Sequence, residues 1–386
     1  MQEKSISFRT AGLILAGLGE AEKIGAEAKR LKATRALIVT DKGIREAGIL
    51  DKIRKVLEKE GLSIGIFDRV EPDPAIKVAE ECLETAKSNT YDLIIGLGGG
   101  SPIDIAKVTS VMLTNEGTIY DYFGVGKIPN PGVVTIMLPT TSGTGAEVTP
   151  NAILTDTKEK LKKGIVSPYL FPQVAIVDSL LTVSMPPKVT AATGVDALTH
   201  AIESYVSVNA TSLSDMFAEK AVELIARSLR AAFAKGENLK ARQEMSLGSL
   251  YAGIANANAG VGAVHALAYP LGGQFNVSHG VANALMLSYV MEFNALGCSV
   301  KFARIATLMG EETKSLSILE ASDKAVQAVR KLCEDVKIPL NLKKIGVPEN
   351  AIPGMAKSAI GVTRLLKNNP RNVTIDDIEM MYKAAF

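Results

Sequence analysis

Only three histidines occur in the 386 residues, and each lies in a stretch able to do chemistry. His200 follows Asp196 by four positions in Gly194-Val195-Asp196-Ala197-Leu198-Thr199-His200-Ala201-Ile202-Glu203, where Val195, Leu198 and Ile202 fall on one apolar stripe. Residues four apart on a helix project from the same face, so this carboxylate and imidazole can share one cation. His265 and His279, in the stretch from Gly262 to Gly280, would complete a set of three nitrogens and one oxygen. That set suits a divalent transition metal with a coordination position left open for substrate. A histidine on a half-apolar helix also serves as a satisfied core or surface residue, so spacing alone leaves both roles open.

A second group of residues could hold a nucleotide. Asp92-Leu93-Ile94-Ile95-Gly96-Leu97-Gly98-Gly99-Gly100-Ser101-Pro102 runs from a buried strand into consecutive glycines and a helix start. Ser101 is the expected N-cap and Pro102 the expected first helical residue. Gly98, Gly99 and Gly100 let the backbone approach a pyrophosphate, whose charge the exposed N–H groups and helix dipole favour. A plain strand–helix turn would need only one or two of these glycines. Asp41, at the end of Val39-Thr40-Asp41, suits the ribose 2′-hydroxyl of NAD and repels a 2′-phosphate, although a surface turn also takes aspartate. The acidic residue here precedes the glycines. Gly17-Leu18-Gly19 has Glu22 where a Rossmann fingerprint wants its third glycine, so that fingerprint is absent. Thr140-Thr141-Ser142-Gly143-Thr144-Gly145 follows another strand and is either a wall of a nucleotide cleft or an ordinary polar loop.

The elements that must position these residues fall into two halves. Strands are expected over Ala11–Gly17, Ala36–Val39, Ser63–Phe67, Leu93–Ile95 and Val133–Leu138, with helices over Asp51–Glu60, Ala75–Lys87 and Ile103–Leu113 between them. That alternation means βαβ units and a parallel sheet with helices on both faces. After Met185-Pro186-Pro187 the periodicity becomes helical: Lys188–Val206, Ser214–Ala234, Leu239–Asn258, a helix from near Gly280, Ser299–Leu308, Ser322–Val336 and Thr374–Ala385. The prolines between Ile338 and Lys357 break the pattern there. Two domains are expected, 1–185 α/β and 186–386 all-helical.

Composition narrows the partners. Lys+Arg 43 against Asp+Glu 41 leaves +2 with no basic block, which gives nucleic acid or an acidic membrane no electrostatic purchase. No apolar run approaches a membrane span. Cys82, Cys298 and Cys333 are odd in number and widely spaced, and read as free thiols of a cytoplasmic protein.

Taken together, GLGGGSPIDIAK, PTTSGTGAEVT, ATGVDALTHAIESY and GVGAVHALAYPLGGQFNVSHGVANA resemble the iron-containing (group III) alcohol dehydrogenases, over essentially the whole chain. The resemblance implies a dehydroquinate synthase-like fold, α/β plus all-α, with a Rossmann-like dinucleotide-binding domain and a helical metal-binding domain. It implies Fe²⁺ (or Zn²⁺) on Asp196, His200, His265 and His279, and NAD with its pyrophosphate on Gly98, Gly99, Gly100 and Ser101. Asp41 would select NAD, while Thr140, Thr141, Thr144 and Lys162 would hold other parts of the dinucleotide. Many relatives carry Asn where this chain has Asp73, which would further disfavour a 2′-phosphate. Most relatives have a second histidine four residues after His265. Tyr269 stands there, so a proton-relay role passes to Tyr269, to water or to a ribose hydroxyl.

The resemblance further implies reversible hydride transfer on a small primary alcohol, diol or hydroxyaldehyde, and a homodimer or larger assembly. Asn151 and Asn256 fall at positions expected to face the substrate, and Arg364 and Lys367 could add charge suited to a polar or anionic aldehyde. Two rivals share the fold's features: an NAD- and metal-dependent lyase or cyclase like dehydroquinate synthase, and a redox-inert NAD-binding regulator.

Overall fold

The structure, a computed structural model, describes residues 5–159 and 161–386. It divides into two compact units, Thr10–Met185 and a second made of Pro186–Phe386 with the chain up to Arg9.

In the first unit, six strands pair in parallel in the order β1 (Leu13–Gly17), β9 (Val174–Asp178), β6 (Val134–Pro139), β4 (Leu93–Gly98), β2 (Arg35–Val39) and β3 (Ser63–Phe67). Helices α1 (Ile24–Arg30), α2 (Lys42–Glu46), α3 (Ile49–Lys59), α4 (Ile76–Lys87) and α5 (Gly100–Met112) link them. A small second sheet joins β5 (Gly124–Val125), β8 (Leu161–Val166) and β7 (Asn151–Asp156), the last two antiparallel.

Alternation along each strand splits the core in two. Leu37, Val39, Ile94 and Met137 pack on one face with Ile76, Leu83 and Ile103, whereas Ala36, Ile38, Leu93, Ile95 and Leu138 pack on the other with Ile24, Ile53 and Leu57. Successive side chains of a strand point to opposite faces, and both faces here are apolar because helices cover both. β9 supplies a strand that the sequence reading passed over.

The register fixes where the loops emerge. Val39 of β2 lies opposite Gly96 of β4, and Gly98 of β4 lies opposite Pro139 of β6. The segments that begin at Asp41, Gly99 and Thr140 therefore leave the carboxyl ends of three adjacent strands, where open parallel sheets take their ligands.

The second unit is built from α6 (Pro187–Val206), α7 (Ser212–Ala234), α8 (Leu239–Ala259), α9 (Ala263–Phe275), α10 (His279–Asn294), α11 (Ser299–Leu308), α12 (Ile318–Asp335), α13 (Ile352–Ile360), α14 (Thr363–Leu366) and α15 (Ile375–Ala384). One core of Ala, Leu, Val and Ile side chains runs through them. Small residues bring the site helices close. A Cβ on Gly280 would meet the Ala192 carbonyl oxygen of α6 at 2.7 Å, and one on Gly194 would meet Leu229 at 2.4 Å. Near the N-terminus, Phe8 stacks on Phe217 and the Arg9 N–H donates to Asn258 Oδ1 at 2.8 Å. Among the described residues, no helix is long and apolar enough to cross a membrane.

Candidate functional site

Helix α6 starts on Pro187, whose fixed φ and missing N–H suit a first turn. It then presents Asp196, His200 and Glu203 on successive turns of one face. His265 lies in the first turn of α9, and His279 is the first residue of α10. The sequence reading had no helix at α9 because Gly260, Gly262 and an internal Pro270 resemble a loop.

The four expected side chains converge. Ligand atoms of Asp196, His265 and His279 lie within 4.8 Å of one another, and His265 Nε2 is 3.0 Å from His200 Nε2. Asp196, His200 and His265 are buried and His279 is half-buried. Burial alone would raise the Asp196 carboxyl, but the surrounding imidazoles and the Asn283 amide outweigh it and hold the group below the ordinary carboxylate value.

Two features fit a divalent cation, and a further residue meets the same donors. The donors are imidazole nitrogen and carboxylate oxygen. Two ring nitrogens at 3.0 Å need a proton or a cation between their lone pairs. Asn283, fully buried one turn beyond His279, donates from Nδ2 to Asp196 Oδ1 at 2.7 Å and lies 3.1 and 3.2 Å from Nε2 of His265 and His279. Its Oδ1 has no hydrogen-bond partner among the described residues.

Tyr269 stands one turn beyond His265, half-buried, with its ring centroid 6.4 Å from that of His279. Asn256 lies in α8, its carbonyl accepting from the Gly260 N–H at the helix end. Arg364 lies in α14 and Lys367 caps that short helix.

In the sheet unit, residues far apart in sequence meet around the glycines. A Cβ on Gly98 would lie 2.6 Å from Pro102 and 3.3 Å from Asp41 Oδ2. One on Gly99 would touch Thr141 at 3.4 Å, and one on Gly100 would meet Thr144 at 2.8 Å. The Thr140 N–H donates to the Gly98 carbonyl at 2.9 Å. Gly98 has φ 152°, a conformation side chains disfavour.

One expectation changes: α5 begins at Gly100 with Gly99 as N-cap, so Ser101 and Pro102 sit inside its first turn. The chain turns two residues early because these glycines permit it. Asp41 caps α2 by accepting from the Ile44 N–H at 3.0 Å, and burial raises its carboxyl despite the bonds from Ile44 and Gly43. Asp73, in the left-handed region at φ 51°, forms an ion pair with Lys162. Asn151 opens β7, its carbonyl accepting from the buried ammonium of Lys107 at 3.0 Å.

Glu203 and Asn283 were not singled out from the sequence. Each has a local signal, three residues after His200 and four after His279, but its partners are on other helices.

A parallel-sheet unit whose loops gather at a glycine turn, and a helical unit carrying one carboxylate among three imidazoles, define a dehydroquinate synthase-like, two-part oxidoreductase class. The sequence profile described as "Iron-containing alcohol dehydrogenase" matches residues 12–179, and that described as "Fe-containing alcohol dehydrogenase family, C-terminal" matches residues 190–386. Long-chain-alcohol dehydrogenase 1 of Geobacillus thermodenitrificans is 43 % identical over 373 residues, 96 % of this chain and 94 % of the relative. The 1,3-propanediol dehydrogenase of Citrobacter freundii is 42 % identical over 365 residues, 94 % of each chain. A crystal structure of 1,3-propanediol oxidoreductase superposes with a TM-score of 0.97 at 40 % identity, covering 99 % of this chain and 100 % of that one. The chain belongs to the iron-containing alcohol dehydrogenase family and is an oxidoreductase.

Proposed function

We propose that the protein interconverts a small primary alcohol or diol and its aldehyde, with NAD(H) as redox partner and a divalent metal on Asp196, His200, His265 and His279. The observation that carries this reading is the convergence of every histidine in the chain with one buried aspartate. Several relatives are named for such reactions, among them a lactaldehyde reductase of Escherichia coli and an NAD-dependent methanol dehydrogenase of Bacillus methanolicus. By the usual affinity order Zn²⁺ binds such donors more tightly than Fe²⁺, so iron loading depends on supply.

A divalent cation held by Asp196, His200, His265 and His279 would supply Lewis acidity toward an alcohol or carbonyl oxygen. The chain's own residues do the rest. Asp196 contributes the single negative charge of the set, and the imidazoles are neutral donors. Gly98, Gly99, Gly100 and Ser101 offer backbone N–H groups to the pyrophosphate, with Thr140, Thr141 and Thr144 beside them. Asp41 takes the ribose hydroxyl and excludes a 2′-phosphate, while Asp73 and Lys162 border the dinucleotide as a pair. With every imidazole committed to the ligand set, the alcohol proton leaves through Tyr269 Oη, water or a ribose hydroxyl. Asn151 and Asn256 are proposed as polar substrate contacts, each suited to a diol or hydroxyaldehyde.

The enzyme works in the cytoplasm, where Cys82, Cys298 and Cys333 stay reduced. It assembles as a homodimer or larger homo-oligomer, which light scattering on the purified protein checks.

The test is a panel of alcohols and aldehydes run on chelated protein reloaded with Fe²⁺ or Zn²⁺, read by NADH absorbance. Metal-dependent turnover supports the reading; turnover that survives exhaustive chelation overturns it.

A further inference from the structure

Glu203 is buried at 5 % exposure, yet the proposed chemistry leaves it without a task. Both of its oxygens are engaged. Oε2 lies 2.5 Å from His265 Nδ1, and Oε1 accepts from the Val264 N–H at 2.7 Å. The Val264 N–H belongs to the first turn of α9, where backbone donors have no partner within the helix. Gly262, the N-cap of α9, lies beside this carboxylate: a Cβ there would be in ordinary contact with Glu203 Oε1 at 3.4 Å and closer to Asn369 Oδ1 at 3.2 Å.

We infer that Glu203 is the positioning residue of the metal centre, fixing both the tautomer and the aim of His265. The inference rests on the proposed ligand set. A carboxylate can only accept, so the ring nitrogen facing it must carry the proton: His265 Nδ1 donates to Glu203 Oε2. Nε2 then keeps its lone pair, and it is Nε2 that lies against His200 Nε2 and Asn283 Nδ2. The second oxygen ties the same carboxylate to the backbone one residue before the histidine. The ring is thereby held at its outer nitrogen and at its root. Glu203 shares α6 with Asp196 and His200, so one helix both donates two ligands and aims the third. Outer partners of ligating histidines are worth about 10–100-fold in metal affinity.

Two measurements test this. In Glu203→Gln the amide cannot accept from Nδ1 and from the Val264 N–H together, so Zn²⁺ affinity, read by competition with a chromophoric chelator, should fall about 10–100-fold. The visible spectrum of the Co²⁺-loaded variant should change shape, while NAD affinity stays within about twofold. A merely structural Glu203 would lower the melting temperature and leave the Zn²⁺ affinity and Co²⁺ spectrum of the folded variant as in wild type, which overturns the inference. The second measurement needs no variant. With three histidines in the chain, ¹⁵N-histidine labelling of the metal-free wild type gives three imidazoles, and His265 should carry its proton on Nδ1. An Nε2-protonated His265 overturns the inference even if Glu203→Gln does not fold. Wild type that binds no Zn²⁺ overturns the metal centre and this inference together, whereas equal affinities in wild type and variant overturn this inference alone.

Discussion

The two chemical regions of this chain are built in opposite ways. Around His265, the proposed function depends on side chains: a carboxylate and three imidazoles, with Glu203 and Asn283 bonded against them. Around Gly98–Gly100, the proposed function depends on side chains being missing, so that backbone lies bare between Asp41, Thr141 and Thr144. Truncation should therefore break the first region and leave the second intact, and addition of a methyl group should do the reverse.

The largest effect tests the first half of that contrast. His265→Ala should lower kcat by roughly 10³-fold or more, the scale lost with a group that stabilises transition-state charge, while NAD affinity from fluorescence titration stays within about twofold. A variant that retained a tenth of wild-type activity would remove His265 from the centre. The converse experiment is Gly98→Ala. The added Cβ would meet Pro102 at 2.6 Å on a backbone at φ 152°, and strain of roughly 1–3 kcal/mol should weaken NAD about 10–100-fold. Zn²⁺ content, read by elemental analysis, should be unchanged. Metal loss in Gly98→Ala would mean that the two regions are not separable in this way.

The sheet unit carries one exception to its reliance on backbone, the buried Lys107 and Glu147 with the half-buried Asp104 beside them. Lys107 donates to the Thr149 and Asn151 carbonyls at 2.7 and 3.0 Å, and burial pushes the Glu147 carboxyl up to about 7 against the pull of Lys107. A carboxyl raised on folding stabilises the protein fully below its unfolded pKa and loses that contribution as pH rises through the folded value. Stability should therefore decline from about pH 4.5 to about pH 7, by on the order of 1–3 kcal/mol. In Glu147→Gln that slope should flatten, as read by urea midpoints across the range. An identical slope would assign the proton to another group.

The smallest effect sharpens the role of Asp41, which caps α2 and is the proposed ribose contact. Asp41→Ala should cost about 1 kcal/mol of stability through the lost α2 cap. The ratio of kcat/KM for NAD over NADP should fall about tenfold in the same variant. An unchanged ratio would leave Asp41 a capping residue only.

How much could be read before folding differs between the regions for the same reason. The histidines stood out because there are three of them, and Asp196 because it shares a helix face with one. Glu203 and Asn283 did not, since glutamate and asparagine are common and their partners lie on α9 and α10. The strands Ala36–Val39 and Leu93–Ile95 were legible because both faces are buried, leaving unbroken apolar runs. β8, with sequence Leu-Lys-Lys-Gly-Ile-Val, was not, because a strand of the small sheet with lysines and a glycine carries no such run. The glycines announced a close approach, but only the register of β2, β4 and β6 names Asp41, Thr141 and Thr144 as the neighbours.

The chain's path through its two units sets an order of events at birth. Phe8 and Arg9 leave the ribosome long before the groups they settle on, Phe217 and Asn258, which emerge more than 200 residues later. Thr10–Met185 is synthesised whole in the interval. Docking of Phe8 and Arg9 must therefore wait until the whole of the sheet unit has been made.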